Sequence, residues 1–137
     1  MKRICLTVAF LLFASPLLSA CAPSPAQQLL ESYRDLASVL ERYADEPQNL
    51  MNALDDCIAR YQPLWQETHA LNTSDERKKS AVEKSFQMHK QDFYDEMLNL
   101  VNLDLQIQDQ LKNDPEHLRA YRERIQKIGR PQALPNL

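Results

Sequence analysis

Three histidines, one internal cysteine and several pairs of adjacent acids are the residues whose types could do chemistry in this 137-residue chain. A metal site in a helical bundle needs ligands that converge at helical spacing, as Glu-x-x-His does on paired helices. His69, His89 and His117 fall in separate elements, none has a Glu three residues before it, and no His-x-x-x-His occurs. His89 lies on an apolar seam between Phe86 and Phe93 and beside Met88. A haem or copper ligand paired with a methionine such as Met97 is the sharper reading, and a hydrogen-bonded boundary residue the plainer one. Cys57 sits at a core-facing position with no evident activating base, so it reads as a small buried hydrophobe. Asp45-Glu46, Asp55-Asp56 and Asp95-Glu96 offer carboxylates, but sequence neighbours diverge by about 100° on a helix and form no dyad. The single glycine, Gly129, leaves no material for a Gly-rich phosphate loop. These residues point to no enzyme, no cofactor and no metal.

The remaining reactive residue is Cys21. Lys2 and Arg3 open the chain, an apolar run follows from Ile4 to Ala14, and small residues close the segment before Cys21. That order is the mark of a secretory signal. The apolar run is too short for a ~30 Å hydrocarbon core, which takes roughly 20 residues of helix. Leu18-Ser19-Ala20-Cys21 resembles the lipobox of bacterial lipoproteins, an aliphatic residue and two small ones before a cysteine. The resemblance covers the first 21 residues. It implies that Cys21 receives a diacylglyceryl group on its sulfur, that cleavage falls before it, and that its new amine is acylated. It also implies a membrane-bound protein, since two or three acyl chains anchor stably where one does not. In Gram-negative lipoproteins an Asp after the lipidated cysteine favours retention at the inner membrane. Here Ala22 follows, which implies the outer membrane, facing the periplasm.

Residues 1–20 are thus expected to be a removed signal, 21–26 a lipidated tether, 27–130 a helical domain and 131–137 a tail. Removal of Lys2 and Arg3 leaves 14 basic residues against 19 acids, a net charge of −5. An acidic domain argues against nucleic acid as a partner and against a basic lipid-binding face. Cys57 alone remains as a free thiol, so no internal disulfide can form.

The elements that must position these residues are helices. The segment after Cys21 has one Gly, three Val, four Ile and two Thr, a composition that favours helix over strand. A first helix is expected from about Ala26 to Ala44, with Leu29, Tyr33, Leu36, Leu40 and Tyr43 on one face. Asp45 is placed to cap a second, with Pro47 in its first turn and Leu50, Leu54, Cys57, Ile58 and Tyr61 inward. Pro63 should kink or restart that helix. Trp65, beside Tyr61 and Leu64, is the best candidate for an exposed protein contact, although the only Trp of a small domain usually packs in the core.

Thr73 and Glu76 read as a capping box opening a long central helix from Asp75 to about Lys112. Its first half has a narrow seam of Val82, Phe86, His89 and Phe93. Its second half, with Leu98, Leu100, Val101, Leu103, Leu105 and Ile107, is apolar over more than half its circumference, a width that normally serves two neighbours. The Leu103, Leu105, Ile107 alternation would also suit a short strand, for which no pairing strand is available. Asp114-Pro115 should start a last helix carrying Leu118, Tyr121, Ile125 and Ile128, stopped by Gly129 and Pro131.

Charge alternates by segment: Arg77 to Lys90 is +4, Gln91 to Leu111 is −5, Glu116 to Arg130 is +3 and residues 27–61 are −4. Such blocks suit internal complementarity, with an antiparallel homodimer through the long helix as the alternative. The expected fold is therefore all-α, a small bundle of three to four helices with one long central helix and an N-terminal lipid anchor. The expected function is a helical protein–protein interaction module, accessory to an envelope or secretion complex. A small-ligand, haem or metal-binding bundle is the alternative. Small helical pilot lipoproteins of secretion systems are similar in size and class, but carry a cysteine pair that this domain lacks.

Overall fold

A computed structural model describes residues 22–69 and 76–128. Within them lie five α-helices, a single 3-10 turn and no strand. The fold is all-α, as the composition requires.

Helix α1 (Pro25–Tyr43) begins with a full capping box. Ser24 Oγ accepts the Gln27 amide at 3.2 Å, and Gln27 Oε1 accepts the Ser24 amide at 2.9 Å. Pro25 occupies the first turn, where an absent N–H costs nothing. The helix therefore starts inside the segment expected to be tether, and Ala26 is already fully buried. Ala22, Pro23 and Ser24 are what precedes it. Residues 1–21, 70–75 and 129–137, which hold the signal, Cys21, Thr73, Gly129 and Pro131, lie outside the described residues.

Ala44, Asp45 and Glu46 turn the chain into α2 (Pro47–His69), which runs antiparallel to α1. Pro47 opens it as expected. Asp45 does not cap it: the helix begins at Pro47, so the cap position falls to Glu46, whose carbonyl accepts the Leu50 amide at 2.8 Å, while the Asp45 carboxylate accepts Gln110 Nε2 at 3.1 Å. Pro63 lies within the helix without ending it. Its ring is on the exposed face, where the carbonyl it deprives of a donor can bond to water.

The single long helix expected from Asp75 to Lys112 is two: α3 (Glu76–Met88) and α4 (Lys90–Gln110). The break is at His89, whose backbone (φ −108°, ψ 13°) leaves the helical region. No proline or glycine causes it. Residues seven apart in an unbroken helix lie about 10.5 Å apart along the axis, yet the Phe86 and Phe93 rings stack at 5.2 Å. Breaking the helix brings the two rings, which share a face, into contact with each other, and Tyr33 of α1 meets Phe93 edge-on at 6.4 Å. Asp92 stands in the first turn of α4, where a carboxylate favours a helix start.

Helices α4, α1, α2 and α5 (Pro115–Ile128) follow one another around the core, and α3 rests on α1. The 3-10 turn Leu111–Asn113 joins α4 to α5. Helix α5 reaches back to α4 through polar side chains: Tyr121 Oη donates to Asp104 at 2.8 Å, and Arg122 to Gln108 at 3.2 and 3.1 Å. Its main packing is on α2, where Arg124 clasps Asp55 with two bonds of 2.9 and 2.6 Å. The basic last helix thus makes its ion pair on α2, and meets the acidic half of α4 through Tyr121–Asp104 and Arg122–Gln108. Arg34 of α1 approaches Glu96 of α4 at 3.8 Å, so charge complementarity does operate within one chain.

Phe93, fully buried, joins α1, α3 and α4. Phe93→Ala is expected to cost about 3–5 kcal/mol, the range for truncating a core aromatic. Urea unfolding followed by circular dichroism measures it; a loss under 1 kcal/mol would show that the aromatic cluster does not hold the broken helix.

Candidate functional site

The residues with reactive potential are engaged locally and apart from one another. His89 Nδ1 lies 3.3 Å from Asp92, and His117 Nδ1 lies 2.7 Å from Asp114. Asp114 also accepts the His117 amide at 3.2 Å, the geometry of an N-cap for α5. That amide bond, followed by the His117 ring, holds the Asp114 carboxyl below its usual range. His69 ends α2. Among the described residues, no three His, Cys, Asp or Glu side chains gather as a metal site would require. The paired acids part company: Asp55 takes Arg124, Asp95 accepts Gln91 at 2.8 Å, and Glu96 faces Arg34.

Cys57 is buried. Desolvation first, and Asp35 second, push its thiol up to about 11, while Arg60 opposes them. A thiol so far above neutral pH is almost entirely protonated and a poor nucleophile. Tyr33 is likewise pushed up to about 12 by burial, and burial with the Asp104 carboxylate moves Tyr121 further in the same direction.

Trp65 points inward. It is 3 % exposed, and its Nε1 donates to Ser32 Oγ at 2.9 Å. Ser32 Oγ donates in turn to the Leu29 carbonyl at 2.6 Å. The indole lies 6.0 Å from the Tyr61 ring, whose hydroxyl donates to Asp35. Asp35 also faces Arg60 at 3.7 Å. The contact role considered for Trp65 therefore meets a side chain already used to join α1 to α2. Its sequence neighbours gave no sign of Ser32, 33 residues away.

The exposed apolar surface lies elsewhere, on α4. Phe93, Leu100 and Ile107 face the core. About a third of a turn round the same helix, Tyr94, Leu98, Val101 and Leu105 are 64, 52, 51 and 61 % exposed. Their spacing of four, three and four residues is that of a coiled-coil seam. The wide apolar circumference of α4 was legible in the sequence and suggested two neighbours. Among the described elements, α1 covers one side, and the second side faces outward. One edge of the outward stripe carries Asp95, Asn102 and Asp109. The other carries Gln108, held by Arg122 of α5. No cation occurs between Gln91 and Leu111.

No family model, curated protein or solved structure matches the chain.

Two outcomes follow from the buried polar groups. Ser32→Ala leaves the Trp65 indole N–H unpaired in the core, so a loss of about 1–3 kcal/mol is expected, measurable by urea unfolding with tryptophan fluorescence; an unchanged midpoint would remove the bond from the account. The alkaline limb has a defined sign. The unfolded thiol of Cys57 and phenol of Tyr33 ionise near 9.0 and 10.0, against about 11 and about 12 when folded. The unfolded chain loses these protons first, so the stability from keeping both groups neutral is complete below pH 9 and erodes from there to about pH 12. Denaturation midpoints should fall across that window, less so in Cys57→Ala; a midpoint that rises instead contradicts the burial of both groups.

Proposed function

We propose that this protein is a lipid-anchored interaction module of the bacterial envelope, fixed to the outer membrane through Cys21 and facing the periplasm. Its role is accessory: it holds or helps assemble a larger envelope or secretion complex. The observation that carries the contact role is the outward seam of Tyr94, Leu98, Val101 and Leu105. Contiguous exposed apolar surface on a small domain marks a place where another molecule sits. The anchoring rests on the lipobox-like Leu18-Ser19-Ala20-Cys21. No helix among the described residues is long and apolar enough to cross a membrane, so attachment through acyl chains suits this domain. Ala22 to Ser24 span roughly 9 Å at ~3.1 Å per residue, which keeps the helical body close to the lipid surface.

Mass spectrometry of the chain isolated from membranes should show an N-terminal Cys21 carrying fatty acids, and Cys21→Ser should leave the protein in the soluble fraction. A photo-crosslinking residue in place of Leu98 or Leu105 should give one discrete adduct in intact cells, where the exposed positions Asp56 and Glu123 give none. A chain that starts beyond Cys21 without fatty acid removes the anchor, and equal crosslinking at all four positions removes the contact role.

A further inference from the structure

The seam on α4 has a chemistry that selects among occupants. We infer that it receives an amphipathic helix of another protein, apolar along a heptad face and bearing Lys or Arg on the edge that meets Asp95 and Asp109. This deepens the interaction role proposed above and rests on it.

Four features of α4 support that occupant. First, Tyr94 to Leu105 spans three turns, about 16 Å, the length over which one helix can lay a seam against another. Knobs at this spacing meet holes formed by residues at the same spacing, which a strand or an irregular peptide does not offer. Second, the flanking edge is acidic or neutral throughout. Asp95 and Asp109 stand about 21 Å apart along it, with Asn102 between them. Among the described residues Asp109 is held only by Lys112, three residues away at 2.9 Å, and both side chains are largely exposed. Such surface pairs contribute little and exchange readily, so an incoming cation can displace Lys112. Among the described residues Asp95 accepts only a neutral amide, from Gln91.

Third, a second copy of this chain fits less well. In an antiparallel self-pairing, Leu98 would meet Val101 and Tyr94 would meet Leu105, but Asp95 would come opposite Asn102. Between Gln91 and Leu111 α4 has no cation, and the two that reach its edges, Lys112 on Asp109 and Arg122 on Gln108, are already engaged. Fourth, a lipid surface fits less well still. Helices that lie in the headgroup region carry Lys and Arg beside their apolar face; here carboxylates occupy that place and repel anionic headgroups. The net charge of −5 on the segment from Cys21 onward acts in the same direction over longer range, drawing a cationic partner and speeding encounter.

The test uses the chain from Ala22 to Leu137, which holds every described helix. The probe is a labelled synthetic helix of 21 residues with Leu at the heptad seam and Lys on both edges; a second carries Glu in place of Lys. Fluorescence anisotropy should show saturable one-to-one binding of the Lys probe and none of the Glu probe. Replacing Leu98 and Leu105 together by Ser should weaken the Lys probe at least tenfold. Replacing Asp95 and Asp109 by Asn should weaken it several-fold and flatten its salt dependence. Circular dichroism should stay unchanged in both variants, because all four side chains are on the surface.

Equal binding of the two probes, or Lys-probe binding that ignores the Leu98 and Leu105 changes, overturns the inference. So does sedimentation showing a dimer that those changes dissolve, which assigns the seam to a second copy. Binding to vesicles of anionic lipid lost in the same variant would assign it to the membrane. A cellular adduct through Leu98 without peptide binding keeps the interaction role and rejects only the cationic helix.

Discussion

With one buried thiol and no disulfide in the described domain, tertiary constraint comes from packed side chains, and α1 carries the largest share of them. That helix meets α2, α3 and α4, and seven of its residues are buried. Apolar burial supplies most of the free energy, at about 25 cal/mol per Å², but it is not directional. Direction comes from a few polar links across the same contacts. Ser32 receives the Trp65 indole, Asp35 receives Tyr61 and Arg60, and Arg34 faces Glu96. A helix that slid by one turn along α1 would leave the indole N–H without its acceptor. These links therefore set the register that the oily contacts alone would leave loose.

That register governs which part of α4 stays outside. Helix α4 has more apolar circumference than one neighbour can cover, and α5 does not lie flat against it. Long polar side chains span the gap instead, Tyr121 to Asp104 and Arg122 to Gln108. Had α5 packed closely on α4, Val101 and Leu105 would be natural core positions. The Arg124–Asp55 clasp holds α5 on α2, and its two-bonded geometry is the favourable kind. The exposed seam is thus a consequence of where α5 is held, and not of a surplus leucine or two at random positions.

Much of this was readable from the residues. The all-α class followed from composition, and the inward faces of α1, α2 and α5 followed from periodicity, since local pattern and burial agree there. Ser24-Pro25-Ala26-Gln27 is a capping box with proline in the first turn, so the true start of α1 was legible too, though the prolines on either side of Ser24 suggested a tether. The break at His89 was harder. Nothing local disrupts a helix there, and the signal is a tertiary one: residues seven apart share a face of a straight helix, but the Phe86 and Phe93 rings come to 5.2 Å only where the axis bends. Helix propensity cannot register that, because it counts each residue against its neighbours in sequence. Trp65 was ambiguous for the same reason, as its fate depends on Ser32 from another helix.

An exposed seam on a small domain is ordinarily a liability, because leucines at heptad spacing invite self-pairing and aggregation. Its acidic edge offsets that risk. In an antiparallel pair of copies Asp95 meets only the neutral Asn102, so the edge that would select a cationic partner gives a second copy no ion pair. The patch is small beside the roughly 800 Å² per partner of a standard stable interface, which implies weak binding in free solution. Under the proposed anchoring, weak binding is sufficient. A tether of a few residues would hold the seam in a thin layer next to the membrane, where a partner confined to the same layer would meet it at a raised effective concentration. On the proposed reading anchor and seam depend on each other: the lipid would make a modest contact effective, and the acidic edge would direct it toward a cationic helix.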